Sequence, residues 1–292
     1  MEKIFNEFFE VELNCKGAEI ISIVDKNDKL NYMWKRDPQY WGSSAPILFP
    51  IVGGLKNGEC LIEGKKYSMK NHGFSRHTEY EIQVVSDKEV RYILKPNEDI
   101  LKEYPYLFEL TVTYILEDHS LKCICHVENK DNKTIYFQIG GHPAFACPLY
   151  EHESSNDYYL EFDENETLER KIVDIVNKGL SHNKEPLFEN ERRFFVRQAM
   201  FDRDAVIVEN MKSKAVSLKS LNHDKYVKFY MNNFNHLGIW ASGHVGGLIA
   251  IEPWVGHGDY IDFEGKFEEK AGIVELKEND YFECDFTIEI HN

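Results

Sequence analysis

Apolar and polar residues alternate along almost the whole chain, and this pattern constrains the fold more than any other feature of the sequence. It is clear in Phe8–Leu13, Val90–Lys95 and Phe108–Leu116, segments that draw heavily on Val, Ile, Leu, Phe and Tyr. A period of two places successive side chains on opposite faces of a β-strand, and half-buried strands favour β-branched and aromatic residues. Polar turns such as Ser86–Glu89 and Glu117–Ser120 separate consecutive strands and predict antiparallel hairpins.

So many strands, with no linker and no internal repeat between them, predict a single all-β domain over residues 1–292. We expect a large antiparallel β-sandwich whose broad concave sheet face can hold a ligand. Helical patterns are few, and Asn97–Tyr104 and Glu191–Met200 are the two candidates. The polar stretch Asp163–Asn190 is expected to form loops and a short strand over one end of the sandwich.

The charge of the chain argues against several classes of partner. Lys and Arg number 34 against 50 Asp and Glu, which gives a formal net charge of −16. This charge repels nucleic acid and anionic membrane surfaces, and no basic run offsets it. Residues 1–14 lack the basic and then apolar order of a secretion signal, and no apolar run approaches the roughly 18 residues of a membrane span. We therefore expect a cytoplasmic protein with no nucleic-acid or membrane partner.

The sequence lacks the motifs of common cofactor and metal sites. It contains no P-loop, no G-x-G-x-x-G after a predicted strand, no H-E-x-x-H and no G-x-S-x-G. The six cysteines have neither C-x-x-C nor zinc-type spacing, which favours buried free thiols in a reducing compartment. We expect no cofactor and no metal, so proton transfer is the simplest chemistry that the residues offer.

The segment Gln138–Phe145 (QIGGHPAF) presents one histidine between two glycines and a proline, at the end of a predicted strand. Gly140 and Gly141 allow a positive φ or a close approach of the backbone, and Pro143 fixes the chain direction after His142. An imidazole held in this way, with an unperturbed pKa near neutrality, suits proton transfer. A hydrogen-bonded structural histidine explains the segment equally well.

Other residues carry weaker signals. Glu252 lies near the end of the apolar strand Leu248–Trp254, where a carboxylate needs a polar cleft or a partner and would have a raised pKa if desolvated. Alternatively, Glu252 lies at a strand end that is exposed to water and has no role in a cleft. His72 and Lys56 lie in glycine-containing turns, where a structural histidine and a solvated lysine are the default interpretations. Asp204 opens a strand and could hydrogen-bond a hydroxylated ligand.

Five blocks occur along the chain in this order: Pro46–Arg76, Tyr104–Asn129, Gly140–Phe145, Asp204–Leu218 and Ile251–Asp259. Taken together they resemble the aldose 1-epimerase (galactose mutarotase) superfamily, and in particular its bacterial LacX-like branch. The blocks span nearly the whole chain in the order of the family. The HGF-x-R and HPAF motifs within them are the most diagnostic for this branch.

The resemblance implies a supersandwich of antiparallel strands with an open sugar cleft and no cofactor. It implies that His142 is the general acid and Glu252 the general base. His72 corresponds to the histidine of the sugar-binding motif of the family, and Asp204 to its sugar-binding aspartate.

One position departs from the pattern of the family. An arginine commonly follows the glycine of PIVG in relatives, whereas this chain has Gly54 there. Lys56 or Arg76 is then expected to anchor the sugar instead. We add Trp254, beside the implied base, as a residue that flanks the cleft.

These residues together indicate an aldose 1-epimerase, an isomerase whose partner is a small-molecule sugar, here a free hexose. The same chemistry on a phosphorylated or otherwise anionic sugar, recognised by Lys56 and Arg76, is the close alternative. Two alternatives come from other classes: a sugar-binding protein without turnover, and a glycoside hydrolase that uses Glu252 and Asp204 as its two carboxylates. Whether the chain forms a homodimer stays open at this point.

Overall fold

Nearly all the regular structure of the protein is β-strand. The computed structural model describes residues 1–242 and 247–292. Within these ranges the strands, in chain order, are β1 (Glu2–Phe5), β2 (Phe9–Asn14), β3 (Glu19–Asp25), β4 (Ile47–Leu48), β5 (Glu59–Ile62), β6 (Lys65–Ser68), β7 (Glu81–Ser86), β8 (Glu89–Leu94), β9 (Phe108–Glu117), β10 (Ser120–Asn129), β11 (Ile135–Phe137), β12 (Ile139–Gly141), β13 (Ala144–Cys147), β14 (Tyr158–Asp174), β15 (Gly179–Phe195), β16 (Val206–Glu209), β17 (Ala215–Ser220), β18 (Tyr226–Asn232), β19 (His236–Trp240), β20 (Gly247–Val255), β21 (Val274–Leu276) and β22 (Tyr281–His291).

Helical structure is sparse. In the described part of the chain there is one α-helix, α1 (Glu98–Glu103). Short 3₁₀ turns occupy Lys56–Gly58, Ser75–His77, Ser155–Asp157, Gln198–Phe201 and Phe267–Glu269. None of the helices in residues 1–242 and 247–292 has the length and apolar character needed to cross a membrane.

One large sheet organises the molecule. Fifteen of the described strands belong to it, in the order β4-β12-β20-β19-β16-β14-β17-β18-β22-β10-β9-β8-β7, with β13 also paired to β20 and β15 to β14. Strands β1–β3 form a second sheet, and β5-β6 and β11-β21 form two-stranded ribbons. All of these strand pairs are antiparallel. The predicted all-β, antiparallel architecture is therefore confirmed.

Alternate burial along the strands accounts for the period of two in the sequence. In β10, Leu121, Cys123, Cys125 and Val127 are buried, whereas the residues between them are partly exposed. The six cysteines are free thiols, and five of them are buried. They behave as small apolar core residues, as their spacing indicated.

The predicted helix Asn97–Tyr104 is confirmed as α1. The side chain of Asn97 accepts hydrogen bonds from the backbone N–H groups of Asp99 and Ile100, at 3.0 and 2.9 Å. These bonds satisfy two of the donors that a helix N-terminus leaves unpaired. Ile100 is buried in the main core, so that packing as well as capping holds this short helix in place.

The predictions for Asp163–Asn190 and for Glu191–Met200 are wrong. Both segments lie largely in one long hairpin, in which β14 pairs with β15, and only the 3₁₀ turn Gln198–Phe201 at the end of the second segment is helical. Charged residues face each other across this ribbon: Nε of Arg193 donates to Oε1 of Glu161 at 3.1 Å. Opposite charges on adjacent strands stabilise an exposed ribbon, so a polar composition does not indicate a loop here.

Strand β20 separates the main core from a cavity. Side chains alternate along it between the two sides, as the pleat of a strand requires. Its core-facing residues are Ile249, Ile251 and Val255. On the other side lie Leu248, Ala250, Glu252 and Trp254.

The two glycines before His142 give space to neighbouring side chains, and neither of them has a positive φ. A Cβ atom on Gly140 would lie 2.8 Å from Cδ1 of Trp254 and 2.9 Å from the carbonyl oxygen of Pro253. A Cβ atom on Gly141 would lie 2.9 Å from Cε1 of Phe286. Of the two reasons predicted for this glycine pair, close approach is the one that applies.

We predict that Gly140→Ala destabilises the fold by about 1–3 kcal/mol, because the added methyl group meets a backbone oxygen that cannot move aside. Urea unfolding followed by fluorescence measures the change. Gly42→Ala is the matched control, since a Cβ atom there has no neighbour within 4 Å, and it should change stability by less than about 0.5 kcal/mol. Equal unfolding midpoints for Gly140→Ala and wild type would contradict this account of the glycine.

Candidate active site

A cavity of about 580 Å³ opens on the side of the large sheet that carries Glu252 and Trp254. We call it the central cavity. Its walls come from β19, β20, the junction of β12 with β13, the turn Asn71–Arg76 and the tip of the β14–β15 hairpin. Of the seven residues predicted from the sequence, six line it: His72, Arg76, His142, Asp204, Glu252 and Trp254.

The register of β20 brings His142 and Glu252 together. Strands β12 and β13 pair with β20 on one continuous register, with Gly140 opposite Trp254 and Ala144 opposite Ala250. His142 occupies the gap between the two short strands and so lies opposite Glu252. The result is a distance of 3.2 Å between Nε2 of the imidazole and Oε2 of the carboxyl group.

Burial shifts the pKa values of both groups toward their neutral forms. The side chain of Glu252 is 1% exposed, and burial raises its pKa well above the usual range, with a further rise from the charge of Asp204. Burial lowers the pKa of His142 well below its usual range, and the nearby His72 and Arg76 lower it further. Burial therefore favours a carboxylic acid at Glu252 and a neutral imidazole at His142. Their Oε2 and Nε2 atoms lie 3.2 Å apart, and Oε2 has no hydrogen-bond partner among the described residues.

His72 is a neutral hydrogen-bond donor at the wall of the central cavity. It lies in a turn with a φ of 64°, and the backbone N–H of Gly53 donates to its Nδ1 at 3.1 Å. Because Nδ1 accepts a hydrogen bond, the ring proton of the neutral form lies on Nε2. Burial, with a smaller contribution from the charge of Arg76, lowers the pKa of His72 to about 3. Near neutral pH its Nε2–H group is thus a donor.

Arg76 brings a positive charge to the same wall. It belongs to the 3₁₀ turn Ser75–His77 and lines the central cavity together with Gly54, which has no side chain to offer. The charge of Arg76 lowers the pKa of His142 and opposes the rise in the pKa of Glu252, so the guanidinium lies close to both. Its Nε atom is buried and has no hydrogen-bond partner among the described residues.

Lys56 does not line the central cavity. Its Nζ atom lies 3.4 Å from Oε1 of Glu264, and its backbone N–H donates to the buried carboxylate of Asp259 at 2.9 Å. The turn predicted around Lys56 is present as the 3₁₀ turn that begins there. Of the two cations considered as replacements for the arginine of the family, the geometry favours Arg76.

Asp204 and Trp254 lie on different parts of the cavity wall. Asp204 precedes β16, with a φ of 74°, and is exposed at the cavity. Trp254 lies on β20 with 4% exposure, and its indole covers Gly140 and Gly238, where any Cβ atom would come within 2.8 Å of the ring. Its Nε1–H has no partner in the part of the chain that the structure describes.

Two further tryptophans line the central cavity and were not among the predicted site residues. Trp41 and Trp240 both contact the ring of His142, with centroids 4.5 and 5.6 Å away. Trp240 is the last residue of β19. Trp41 lies in the polar segment Asp37–Ser44 (DPQYWGSS). An aromatic residue outside the alternating pattern was the sequence signal that pointed to it.

The tip of the β14–β15 hairpin forms the outer wall of the central cavity and was also missed. The lining includes Ile175 and Lys178 from the turn and Leu180 from the start of β15. The backbone N–H of Leu180 donates to the carbonyl of Asp259 at 2.8 Å, which ties the tip to the far wall. No sequence signal predicted this contact, because the hairpin itself was not predicted.

The sequence predicted neither a metal nor a cofactor. Within residues 1–242 and 247–292, no group of three or more His, Cys, Asp or Glu side chains is arranged to hold a metal ion. The groups that line the central cavity are acids, bases, hydrogen-bond donors and aromatic rings.

Comparison with known proteins gives consistent matches over the whole chain. A family model described as Aldose 1-epimerase matches residues 3–273. Protein LacX from Lactococcus lactis subsp. lactis is 32% identical over 300 residues, which cover 98% of each chain. The structure of a galactose mutarotase related enzyme from Lactobacillus acidophilus is 31% identical, with a TM-score of 0.95 over 100% of this chain and 97% of that one. A galactose mutarotase-like protein from Lactobacillus casei is 30% identical, with a TM-score of 0.93 over the full length of both chains.

We predict that His72→Asn flattens the dependence of stability on pH. The pKa of His72 is about 3 in the folded protein and about 6.5 when unfolded, so the unfolded chain binds the extra proton first as pH falls. The contribution of His72 is thus fully present above pH ~6.5 and is lost progressively below it. Asn tolerates a positive φ, and its carbonyl can accept the Gly53 N–H. Between pH 7 and 4 the variant should lose about 2–3 kcal/mol less free energy of unfolding than wild type.

Urea unfolding at a series of pH values measures this difference. His152→Asn is the control, because His152 is exposed and lies outside the central cavity. Parallel pH curves for wild type and His72→Asn would show that the buried imidazole does not titrate as described.

Proposed function

The chain belongs to the aldose 1-epimerase family, and from its central cavity we propose that it is a mutarotase that interconverts the α and β anomers of a free hexose. The observation that carries the proposal is the buried contact of 3.2 Å between Nε2 of His142 and Oε2 of Glu252. A protein that only binds sugar needs donors and acceptors, but it does not need a desolvated acid–base pair with shifted pKa values. The volume of about 580 Å³ lies in the range of small-molecule sites.

The reaction requires one base and one acid at the same end of the sugar. The base takes the proton of the C1 hydroxyl, the acid gives a proton to the ring oxygen, and the bond between C1 and the ring oxygen breaks to leave an aldehyde. Rotation about the C1–C2 bond then presents the other face of the carbonyl, and ring closure returns both protons. The sugar is neither oxidised nor reduced, so the chemistry needs no redox cofactor. Each proton transfer can contribute roughly 10²–10⁴-fold to the rate.

In this proposal Glu252 is the base and His142 the acid. The pair holds its one proton on the carboxyl group when the cavity is empty, so the proton first moves from Oε2 to Nε2 over 3.2 Å. The sugar hydroxyls and the guanidinium of Arg76 stabilise the carboxylate that results. The transfer creates two buried charges whose desolvation is costly, and the attraction between them at this short distance offsets part of that cost.

The other polar groups of the central cavity would orient the sugar. The Nε2–H of His72 and the guanidinium of Arg76 can donate to hydroxyl or ring oxygens, and the carboxylate of Asp204 can accept from hydroxyl groups. The indole of Trp254 offers an apolar face to one side of the pyranose ring. Groups that fix the sugar in this way contribute to the rate by keeping C1 and the ring oxygen within reach of the acid–base pair.

The carboxylate of Asp204, which is exposed at the central cavity, favours an uncharged hexose over a phosphorylated one. Of the other acidic residues in the lining, Glu252 is held neutral by burial and Asp259 forms an ion pair with Lys270. A phosphate group would carry close to two negative charges beside the exposed carboxylate of Asp204, and like charges in a partly desolvated cavity repel. The anionic sugar remains the alternative because Arg76 and Lys178 could each face a phosphate oxygen.

Anomeric exchange measured by NMR tests the proposed function. The panel contains the common aldohexoses and their 6-phosphates, in buffer with excess chelator, and the rate is compared with that of buffer alone. We expect saturable acceleration with at least one free hexose, and kcat/KM for its 6-phosphate at least 10-fold lower. No acceleration with any sugar would overturn the mutarotase, and a preference for the 6-phosphate would overturn the choice of substrate.

We predict that Glu252→Gln lowers kcat by about 10²-fold or more and leaves the fold intact. Gln has nearly the same shape as the neutral carboxylic acid that occupies this buried position, but it cannot accept a proton near neutral pH. Stability should therefore change by less than about 1 kcal/mol. Exchange by NMR, sugar affinity and thermal melting on one preparation measure the three quantities.

Asp204→Asn is the matched comparison for Glu252→Gln. Asp204 lines the same cavity but is assigned to binding, so its loss should raise KM more than it lowers kcat. Near-wild-type exchange by a well-folded Glu252→Gln protein would rule out the general base. A large drop in melting temperature with unchanged turnover per folded molecule would make Glu252 a structural residue.

A further inference from the structure

The segment between β3 and β4 delivers a tryptophan to the central cavity from outside the large sheet. The indole N–H of Trp34 donates to the carbonyl oxygen of Trp41 at 2.8 Å. The backbone N–H of Trp41 donates to the carbonyl of Asp37 at 2.9 Å. Trp34 is itself buried beside β20, so these bonds tie Trp41 to the framework.

Trp41 stacks on the imidazole of His142. Their ring centroids lie 4.5 Å apart, with an interplanar angle of 28°. Trp240 meets the same imidazole edge-on, at 5.6 Å and 81°, and His72 does so at 5.7 Å and 81°. Trp41 thus covers one face of the imidazole, and Trp240 and His72 pack against it in edge-to-face geometry. Nε2 points at the carboxyl group of Glu252.

We propose that Trp41 is a positioning residue, whose indole face holds the plane of the His142 imidazole and stabilises the imidazolium that forms before ring opening. This inference rests on the proposed mutarotase function for its kinetic consequence. Its structural consequence, a change in the protonation behaviour of His142, does not depend on the reaction.

The surroundings of His142 explain why such a face is needed. The charged and titratable groups that face its ring are His72 and Arg76 from the turn after β6 and Glu252 from β20. Burial, His72 and Arg76 all disfavour a positive charge on the ring. Glu252 favours that charge only after it has given up its own proton.

The face of an indole carries negative electrostatic potential, and tryptophan offers the strongest cation–π partner among the aromatic residues. The stack therefore stabilises the charged imidazole without placing another ion in the central cavity. It also leaves the ring one plane in which to lie, so that Nε2 keeps its direction toward the carboxyl group of Glu252.

Three variants test the proposal. Trp41→Leu removes the aromatic face and keeps apolar bulk, Trp41→Phe keeps an aromatic face, and Tyr40→Leu removes a neighbouring aromatic ring that contacts Trp34 but not His142. For each variant we would measure kcat and KM for the best sugar of the panel, the pH dependence of kcat, and the pH at which the ring ¹⁵N signals of His142 shift. Thermal melting checks the fold, and Trp41→Met replaces Trp41→Leu should the latter not fold.

We expect Trp41→Leu to lower kcat about 10-fold with a smaller change in KM, and to move the protonation of His142 to lower pH. Trp41→Phe should recover most of both effects, and Tyr40→Leu should resemble wild type. Unchanged His142 signals in Trp41→Leu would overturn the proposal, as would a loss confined to KM, which would make Trp41 a sugar contact. If wild type accelerates no anomer exchange, the proposed function fails, and the ¹⁵N titration alone still decides whether Trp41 controls His142.

Discussion

The pairing of β20 with two short strands on one register is the constraint on which the central cavity depends. The backbone ladder continues through the gap between β12 and β13, because the N–H of Ile251 donates to the carbonyl of Pro143 at 3.0 Å. On the other edge, the N–H of His142 donates to the carbonyl of Pro46 at 3.1 Å. A slip of one residue in either pairing would turn the histidine or the glutamate toward the opposite face of the sheet. The backbone hydrogen bonds of the sheet therefore fix the positions of His142 and Glu252 relative to each other.

The same burial that fixes the pair also decides its protonation. Two ions at this position would lose their hydration, at a cost of several kcal/mol each, whereas a carboxylic acid and a neutral imidazole lose much less. The folded protein thus favours uncharged Glu252 and His142, and in the proposed mechanism a sugar would replace part of the missing solvation. Because the proposed reaction separates charge within the pair, we expect its rate to depend on the neighbours that stabilise or oppose a charge on the carboxyl group and on the imidazole. Arg76 acts on the carboxylate in this sense, and the aromatic rings act on the imidazole.

The sequence predicted the antiparallel sheet, and six of its seven candidate residues line the central cavity. A period of two with β-branched residues predicts strands well where one face is buried, as in β10. It failed in the β14–β15 hairpin, because β15 is exposed along most of its length and cross-strand ion pairs such as Arg193 with Glu161 stabilise the pairing. Residues in short, unusual contexts (His142, His72) could be singled out as candidates, whereas Trp41 stood out only as an aromatic residue outside the alternating pattern. Its contact with His142 spans two distant segments and was not predicted. Lys56 shows that a cation in a glycine-rich turn is a weak signal, because the turn is present and its Gly58 lines the cavity, whereas the side chain of Lys56 pairs with Glu264 instead.

The residues that line the central cavity lie on two kinds of segment, paired strands and the connections between them. This division suggests how the proposed sugar preference and the proposed catalysis are separated. His142, Glu252 and Trp254 lie on or between paired strands, whereas Asp204 and the hairpin tip with Lys178 lie on connections. Connections tolerate substitution because few buried contacts depend on them, while a change on β20 disturbs packing on both of its faces. A different sugar can therefore be accommodated by altering the outer wall without moving the proton-transfer atoms. Trp41 is the exception that links the two sets, since it comes from a connection and yet stacks on His142; in the proposed mechanism the segment between β3 and β4 is then constrained by catalysis as well as by recognition.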